Sequence, residues 1–343
     1  MEVKSPAVVK LFGEHAVVYG RLAVAAAVEM YATAKIADNK STKLRISIPK
    51  FNVSKEFDQG DLKRIYRSFN RRKSIVAFIS ENRKIPIEIL PAVTIAARLW
   101  NELNIKVIGK DIEIVSEIPV KIGCASSAAC SAALTVGLVK ASNKMLSDET
   151  IIDIARDGER ILHINEEAGK IDVSTTYYGG YVSYIPSIGA VKEDINLKSS
   201  FVIINTGPKK STAETVSMVS KLYKSKKQDV EMIFDSINGY SLNGLVALKN
   251  KNVKNLGKLM FENHTMLDKL GVSTKKLNTV VSLARSYNAY GAKLSGGGGG
   301  GVAIAITEDP TKLKNIFEKN GFHSSIVNVS LNGSSNYLTN LGK

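Results

Sequence analysis

A chain of 343 residues, 44% hydrophobic and 23% charged, has ordinary globular composition and room for two domains, each with its own core. Its two cysteines, Cys124 and Cys130, are too few for a secreted disulfide framework, and its four histidines lack the paired spacing of a zinc site, so a cytoplasmic setting is expected. The net charge of +15 suits an anionic partner, but the densest basic stretch, residues 63–84, carries no recognised nucleic-acid module and reads as a solvated helix face.

The first ten residues show neither transit-peptide nor signal-peptide character. In chain order, residues 3–19 predict strand–turn–strand. Residues 21–38 run from an alanine-rich stretch into a strand, and 44–48 form a strand ending at Pro49. Helices are predicted at 61–83 and 91–103, then a strand at 111–115 stopped by Pro119. A short loop at 121–125 leads into a small-residue helix reaching about Lys140. With Ser126, Ser127 and Ser131 inside it, this stretch falls short of the ~20 apolar residues of a membrane span and suits a buried helix. Ser147, Asp148 and Glu149 open a helix at 151–164. Residues 173–178 and 181–185, either side of Gly179-Gly180, read as a hairpin.

A boundary at 190–200 gives domains 1–195 and 196–343. In the second, 201–205 is a buried strand, and Ser211 with Glu214 forms a capping box. Helices continue to about 288, strands 292–294 and 302–306 flank a glycine run, and helix 310–319 precedes a last strand at 325–329.

Four places carry candidate chemistry. At residues 123–129 (Gly-Cys-Ala-Ser-Ser-Ala-Ala) small residues let backbone approach a ligand, and the following helix offers unpaired N–H groups and a positive dipole end. This would make a phosphate cradle in which Ser127 could reach a magnesium ion. Close packing of a small-residue helix explains the same residues equally well. No G-x-x-x-x-G-K-[ST] sequence is present, which excludes a Walker-type site. Glu159 shares an apolar stripe with Ala155 and Leu162, where a lone carboxylate is costly unless a metal ion or, more commonly, a salt bridge offsets it. Asp172, beside Ser174, Thr175 and Thr176, could take a proton from a substrate alcohol, although Asp before a strand also simply forms turns. Ser295 precedes Gly296, Gly297, Gly298, Gly299 and two further glycines. Between two strands of one sheet, a loop lying against a substrate or phosphate suits this run better than a flexible linker.

The order of these pieces carries a resemblance. Lys10-Leu11-Phe12-Gly13-Glu14-His15-Ala16-Val17-Val18-Tyr19-Gly20 is very similar to the first motif of mevalonate kinases in the GHMP kinase superfamily. Residues 119–129 resemble the superfamily's phosphate-binding motif. Gly158-Glu159-Arg160-Ile161-Leu162-His163 resembles the segment with its magnesium-binding Glu, and Lys293-Leu294-Ser295 with the glycines resembles the third motif.

The resemblance implies an α+β GHMP kinase fold: a ribosomal protein S5 domain 2-like N-terminal domain, a ferredoxin-like C-terminal domain and an active site in the cleft between them. It implies ATP over Lys121, Ile122, Gly123, Cys124, Ala125, Ser126, Ser127 and Ala128, with Mg2+ held by Ser127 and Glu159. Asp172 would orient or deprotonate the 5-hydroxyl of mevalonate, and Glu14, His15, Ser211 and Thr212 would lie near that substrate. No nucleic-acid or membrane partner is implied, and a homodimer is allowed.

Three departures from the family pattern stand out. Val8 occupies the place of a usual basic residue five positions before Gly13. Lys10 lies on the same strand face and could supply the displaced charge beside Asp172. Lys121 and Ala125 stand where the second motif usually has more glycine, and residues 123–128, with Ala7-Val8-Val9-Lys10, look more like mevalonate diphosphate decarboxylases or the related mevalonate 3-kinases. Two extra residues separate Glu159 from Asp172, and the usual Pro-Ser-Gly before the Asp is missing. The alternatives are therefore a sister GHMP enzyme (a mevalonate 3-kinase, a phosphomevalonate kinase or a decarboxylase-like relative) or a non-catalytic ligand sensor.

Overall fold

The computed structural model describes residues 1–119, 122–164, 169–208 and 210–339. The first part of the chain contains β1 (Glu2–Phe12), β2 (Ala23–Asp38), β3 (Leu44–Ile48), β4 (Val53–Phe57), α1 (Gln59–Arg71), α2 (Ile75–Glu81), α3 (Leu90–Leu103) and β5 (Lys110–Ser116). Then come α4 (Ser126–Ala141), α5 (Asp148–His163), α6 (Lys170–Tyr178), β6 (Tyr181–Ile185) and β7 (Gly189–Glu193). These strands build a seven-stranded sheet in the order β4-β3-β5-β2-β6-β7, with β1 antiparallel along β2. The long β2 is the hub: β5 pairs with its second half and β6 with its first residues, opposite β1.

Its alanines from Ala23 to Ala34 are fully or almost fully buried, and their small side chains let helices approach closely. Gly137 of α4 faces Ile36 of β2, where a Cβ would come within 2.7 Å of the isoleucine side chain. Pro6 cannot donate to the ladder, and the β1 register slips between Pro6 and Ala7. A second slip, between Lys10 and Phe12, redirects the strand end next to the site described below.

The second part contains β8 (Ser200–Asn205), α7 (Thr212–Ser225), α8 (Lys227–Lys249), α9 (Val253–Lys269), α10 (Lys275–Ser286), β9 (Gly291–Ser295), β10 (Val302–Ile306), α11 (Pro310–Lys319) and β11 (His323–Asn328). Its four antiparallel strands are ordered β11-β8-β10-β9. Alternation divides each strand between two cores. Phe201, Ile203, Val302 and Ile304 meet Val9, Leu11 and Phe12 of β1, so one core lies between the two sheets. Val202, Ile204, Ala303 and Ala305 pack on the other face with Phe234, Leu277 and Phe317. Phe12 also crosses to α8, where the absent side chain of Gly244 leaves room for its ring. Truncating Phe12 to Ala would cost about 3–5 kcal/mol.

Four local expectations are corrected. Residues 17–19 are not a strand but part of a 3-10 turn, Ala16–Tyr19, because Gly13 and His15 adopt positive φ and the amides of Ala16 and Val17 bond back to Glu14 and Gly13. The expected helix at 61–83 is two helices, since the Ser74 hydroxyl caps Ala77 N–H at 3.2 Å and starts α2 afresh. Residues 173–178 are helical, not half of a hairpin. Ser174 and Thr175 bond back to the carbonyls of Lys170 and Ile171 at 2.7 Å, and α6 is buried from Val173 to Tyr177. The strand β6 pairs instead with β2 and β7. Leu162 is 41% exposed, so it lies off the buried face that Glu159 shares with Ala155.

Candidate active site

The site is assembled where the end of β1, the starts of α4 and α6, and the loop after β9 converge. Lys10 reaches from β1 to Asp172 in the first turn of α6, Nζ to Oδ2 3.0 Å, with the two side chains 26% and 18% exposed. Burial works against the lysine charge, but Asp172 outweighs it by charge and hydrogen bond, and Glu14 and Glu159 add to it. The ammonium pKa is therefore raised above the ordinary lysine range.

Next to this pair is the turn before α4. Gly123 and Ala125 both have positive φ, and among the described residues no side chain caps the helix start. Only small residues keep the turn low: Ala125 packs with Val8, Ala23 and Ile171, and the Val8 amide bonds to Cys124 O at 3.2 Å. Ser126 shares a hydrogen bond of 2.9 Å with Ser116, while Ile122, Gly123, Ser126 and Ser127 are partly exposed and Cys124 and Ala128 are buried. Lys121 lies outside the described residues. Cys124 and Cys130 are both free thiols, and burial with the nearby Glu159 charge pushes Cys130 up to about 12, so it stays protonated.

Glu159 is 2% exposed on α5. Its Oε2 lies 3.2 Å from His163 Nε2, and among the described residues its Oε1 has no hydrogen-bond partner. A Cβ at Gly169 would overlap the Glu159 side chain, so the glycine at the start of α6 lets the two elements meet. An orphaned, buried carboxylate oxygen fits a cation ligand. Among the described residues no three His, Cys, Asp or Glu side chains converge on one point.

The loop after β9 closes the site. A Cβ on Gly296 would lie 3.6 Å from Gly123 O, so the two loops abut. Gly297 faces Thr212 and Thr215 of α7, Gly298 turns against Val272 O, and Gly299 N–H donates to Val272 O at 2.7 Å. His15 is 5% exposed, and its Nε2–H donates to Gly297 O at 2.9 Å. Burial lowers its pKa despite that bond and the Glu14 charge, so the ring is neutral near pH 7.

Of the residues expected near the acceptor, Glu14 is buried and bound at both oxygens, by Lys293 Nζ and by Asn263 Nδ2 at 3.4 Å. Ser211 is exposed and caps α7, with Glu214 completing the box, while Thr212 lies against the glycine loop. Asn263 was not singled out from sequence, and Lys293 and Ser295 entered only as the lead-in to the glycine run, with no role of their own. The available signal was a lysine between alanine and leucine in a buried strand.

Comparison with known proteins gives the class first. Residues 91–180 match the GHMP kinases N terminal domain, and residues 245–323 match the GHMP kinases C terminal family. A mevalonate kinase of Pyrococcus horikoshii is 34% identical over 313 residues, covering 88% of this chain and 87% of the relative. One from Methanocaldococcus jannaschii is 30% identical over 341 residues, covering 96% and 99%. A crystal structure of Methanococcus jannaschii mevalonate kinase superposes with a TM-score of 0.79 at 27% identity, covering 96% of this chain and 98% of that one. The chain belongs to the mevalonate kinase family of the GHMP kinases and is an ATP-dependent kinase.

Proposed function

We propose that the protein transfers the γ-phosphoryl group of ATP to the 5-hydroxyl of mevalonate, and that Asp172 and Lys10 are its catalytic residues. The observation that carries this reading is the Lys10–Asp172 pair beside the start of α4, which no described side chain caps. Phosphoryl transfer needs positioning and charge stabilisation more than covalent chemistry from the protein. The first-turn amides of α4 and its dipole would hold the ATP phosphates over residues 122–128. Asp172 would accept a hydrogen bond from the acceptor hydroxyl and take its proton as the oxygen attacks. Lys10 would keep that carboxylate in place and offset the charge on the transferred group. His15, Ser211 and Thr212 would border the acceptor.

Ser127 and Glu159 would hold Mg2+, which when bound neutralises charge on the phosphates. The domains divide as 1–195 and 196–343. No described helix is long and apolar enough to cross a membrane, and with two free cysteines we assign the enzyme to the cytoplasm, working without nucleic acid and as a monomer or homodimer.

The test is ADP release with magnesium-ATP over mevalonate, 5-phosphomevalonate, 5-diphosphomevalonate, homoserine and galactose. Turnover on mevalonate with a 5-phosphate product by phosphorus NMR is expected. A 3-phosphate product, or turnover only on a phosphorylated mevalonate, would transfer the assignment to a sister activity. Binding without turnover on any acceptor would favour a ligand sensor.

A further inference from the structure

Lys293 has no solvent exposure, and its ammonium is fully used inside the protein. It donates to the Glu14 carboxylate, to Leu294 O at 2.6 Å and to Lys10 O at 3.4 Å. Glu14 accepts from Asn263 through its other oxygen. Stripping such a pair of water is expensive, and a well-packed apolar pair would often serve stability as well, so stability alone does not account for it.

The geometry supplies another account. β9 lies at the edge of the second sheet, and its free side meets the end of β1. There the Lys10 N–H donates to Ser295 Oγ at 2.8 Å, Ser295 Oγ lies 3.3 Å from Lys10 O, and Lys293 reaches the same carbonyl. The main chain of Lys10 is thus gripped at both its N–H and its carbonyl, at the residue whose side chain meets Asp172. β9 is itself fixed from behind: Leu294 N–H donates to His264 Nδ1 at 3.3 Å, which leaves His264 Nε2–H to donate to Asn278 Oδ1 at 3.0 Å.

We propose that Lys293, with Glu14 as its counter-ion, is a positioning residue for phosphoryl transfer, fixing the main chain at Lys10 so that the Lys10 ammonium stands against Asp172. The proposal deepens the mevalonate kinase reading and rests on it for the reaction served. Glu14 then acts through Lys293 rather than by touching the acceptor.

The test compares Lys293→Met, Glu14→Gln and the double variant by melting temperature, kcat and the KM for ATP and mevalonate. Lys293→Met leaves a buried carboxylate uncompensated and lowers the melting temperature, whereas the double variant removes both charges and recovers most of it. In the double variant kcat is expected to stay down by about 10²-fold, with both KM values within about threefold of wild type. Recovery of kcat along with the melting temperature overturns the proposal, because the pair then serves only folding. A raised KM for mevalonate at unchanged kcat overturns it too, making Glu14 a direct contact. If the double variant does not fold, Glu14→Gln alone carries the same kinetic comparison. A wild-type protein inactive on every acceptor sinks the kinase reading instead. Positioning is then decided by crystal structures of wild type and a folded variant. A Lys10 Nζ moved away from Asp172 in the variant supports it, and an unchanged 3.0 Å contact overturns it.

Discussion

The turn before α4 and the loop after β9 touch each other, but their backbones are used differently. The turn has few glycines, and Ala125 takes a positive φ there without glycine's freedom. Its product is a helix start that no described side chain caps. The loop is nearly all glycine, yet much of its backbone is bonded to protein. Gly299 N–H and O pair with Val272 and Lys210, Gly301 N–H with Gly207, and Gly301 O with Thr206. Under the proposed function the helix start, not the glycine loop, takes the phosphates, and in the loop glycine chiefly permits close packing.

The sharpest break in this comparison is at the pair beside the turn. Asp172→Asn is expected to lower kcat by about 10²–10⁴-fold while ATP still raises the melting temperature, as read by steady-state kinetics and thermal shift. Lost ATP stabilisation would instead show that Asp172 holds the nucleotide site together. Glu159→Gln should raise the magnesium concentration needed for half-maximal rate by at least about 10-fold, with no loss of apo stability because it removes a buried charge. Equal magnesium dependence in variant and wild type would remove Glu159 from the metal site.

The loop itself is tested by two alanines. Gly298→Ala puts a Cβ into Val272 O at φ +72 and should cost about 3 kcal/mol, whereas Gly296→Ala, with room at φ +87, should cost only the ~1–2 kcal/mol of left-handed strain. Equal losses in denaturant titrations would mean that the loop does not pack as described.

Protonation gives a smaller effect. Burial depresses both His15 and His264 below their ordinary 6.5, so the folded state resists their protonation. Stability is full above about pH 6.5 and declines as pH falls below it toward the lowered folded values. Replacing His264 with Gln should flatten part of that decline in pH-dependent melting. Smallest is Ser211→Ala, which removes one cap and should cost about 1 kcal/mol in the same melts.

Much of this arrangement was legible because it is local. Ser211 and Glu214 announce the start of α7, Pro310 sits in the first turn of α11, and the glycine run lies between β9 and β10 as its flanking residues suggested. The β-branched and hydroxyl residues of 173–178 misled, since propensity for a strand is weak against a segment buried as a helix among β1, β2 and α4. The 3-10 turn after Gly13 was hidden for a related reason: Val17 and Val18 favour strands, but the positive φ at Gly13 and His15 commits the chain to a turn first.

The order of motifs, the candidate base, metal and phosphate residues, and the family were set by the sequence alone, through short-range chemistry that needs only neighbouring residues. Tertiary structure brought the charges together: Lys10 and Asp172, 162 residues apart, were paired in advance only through the family resemblance, and Glu14 and Lys293, 279 apart, not at all. No local pattern encodes such pairs, because the free energy that brings them together comes from burying two sheets against a shared core.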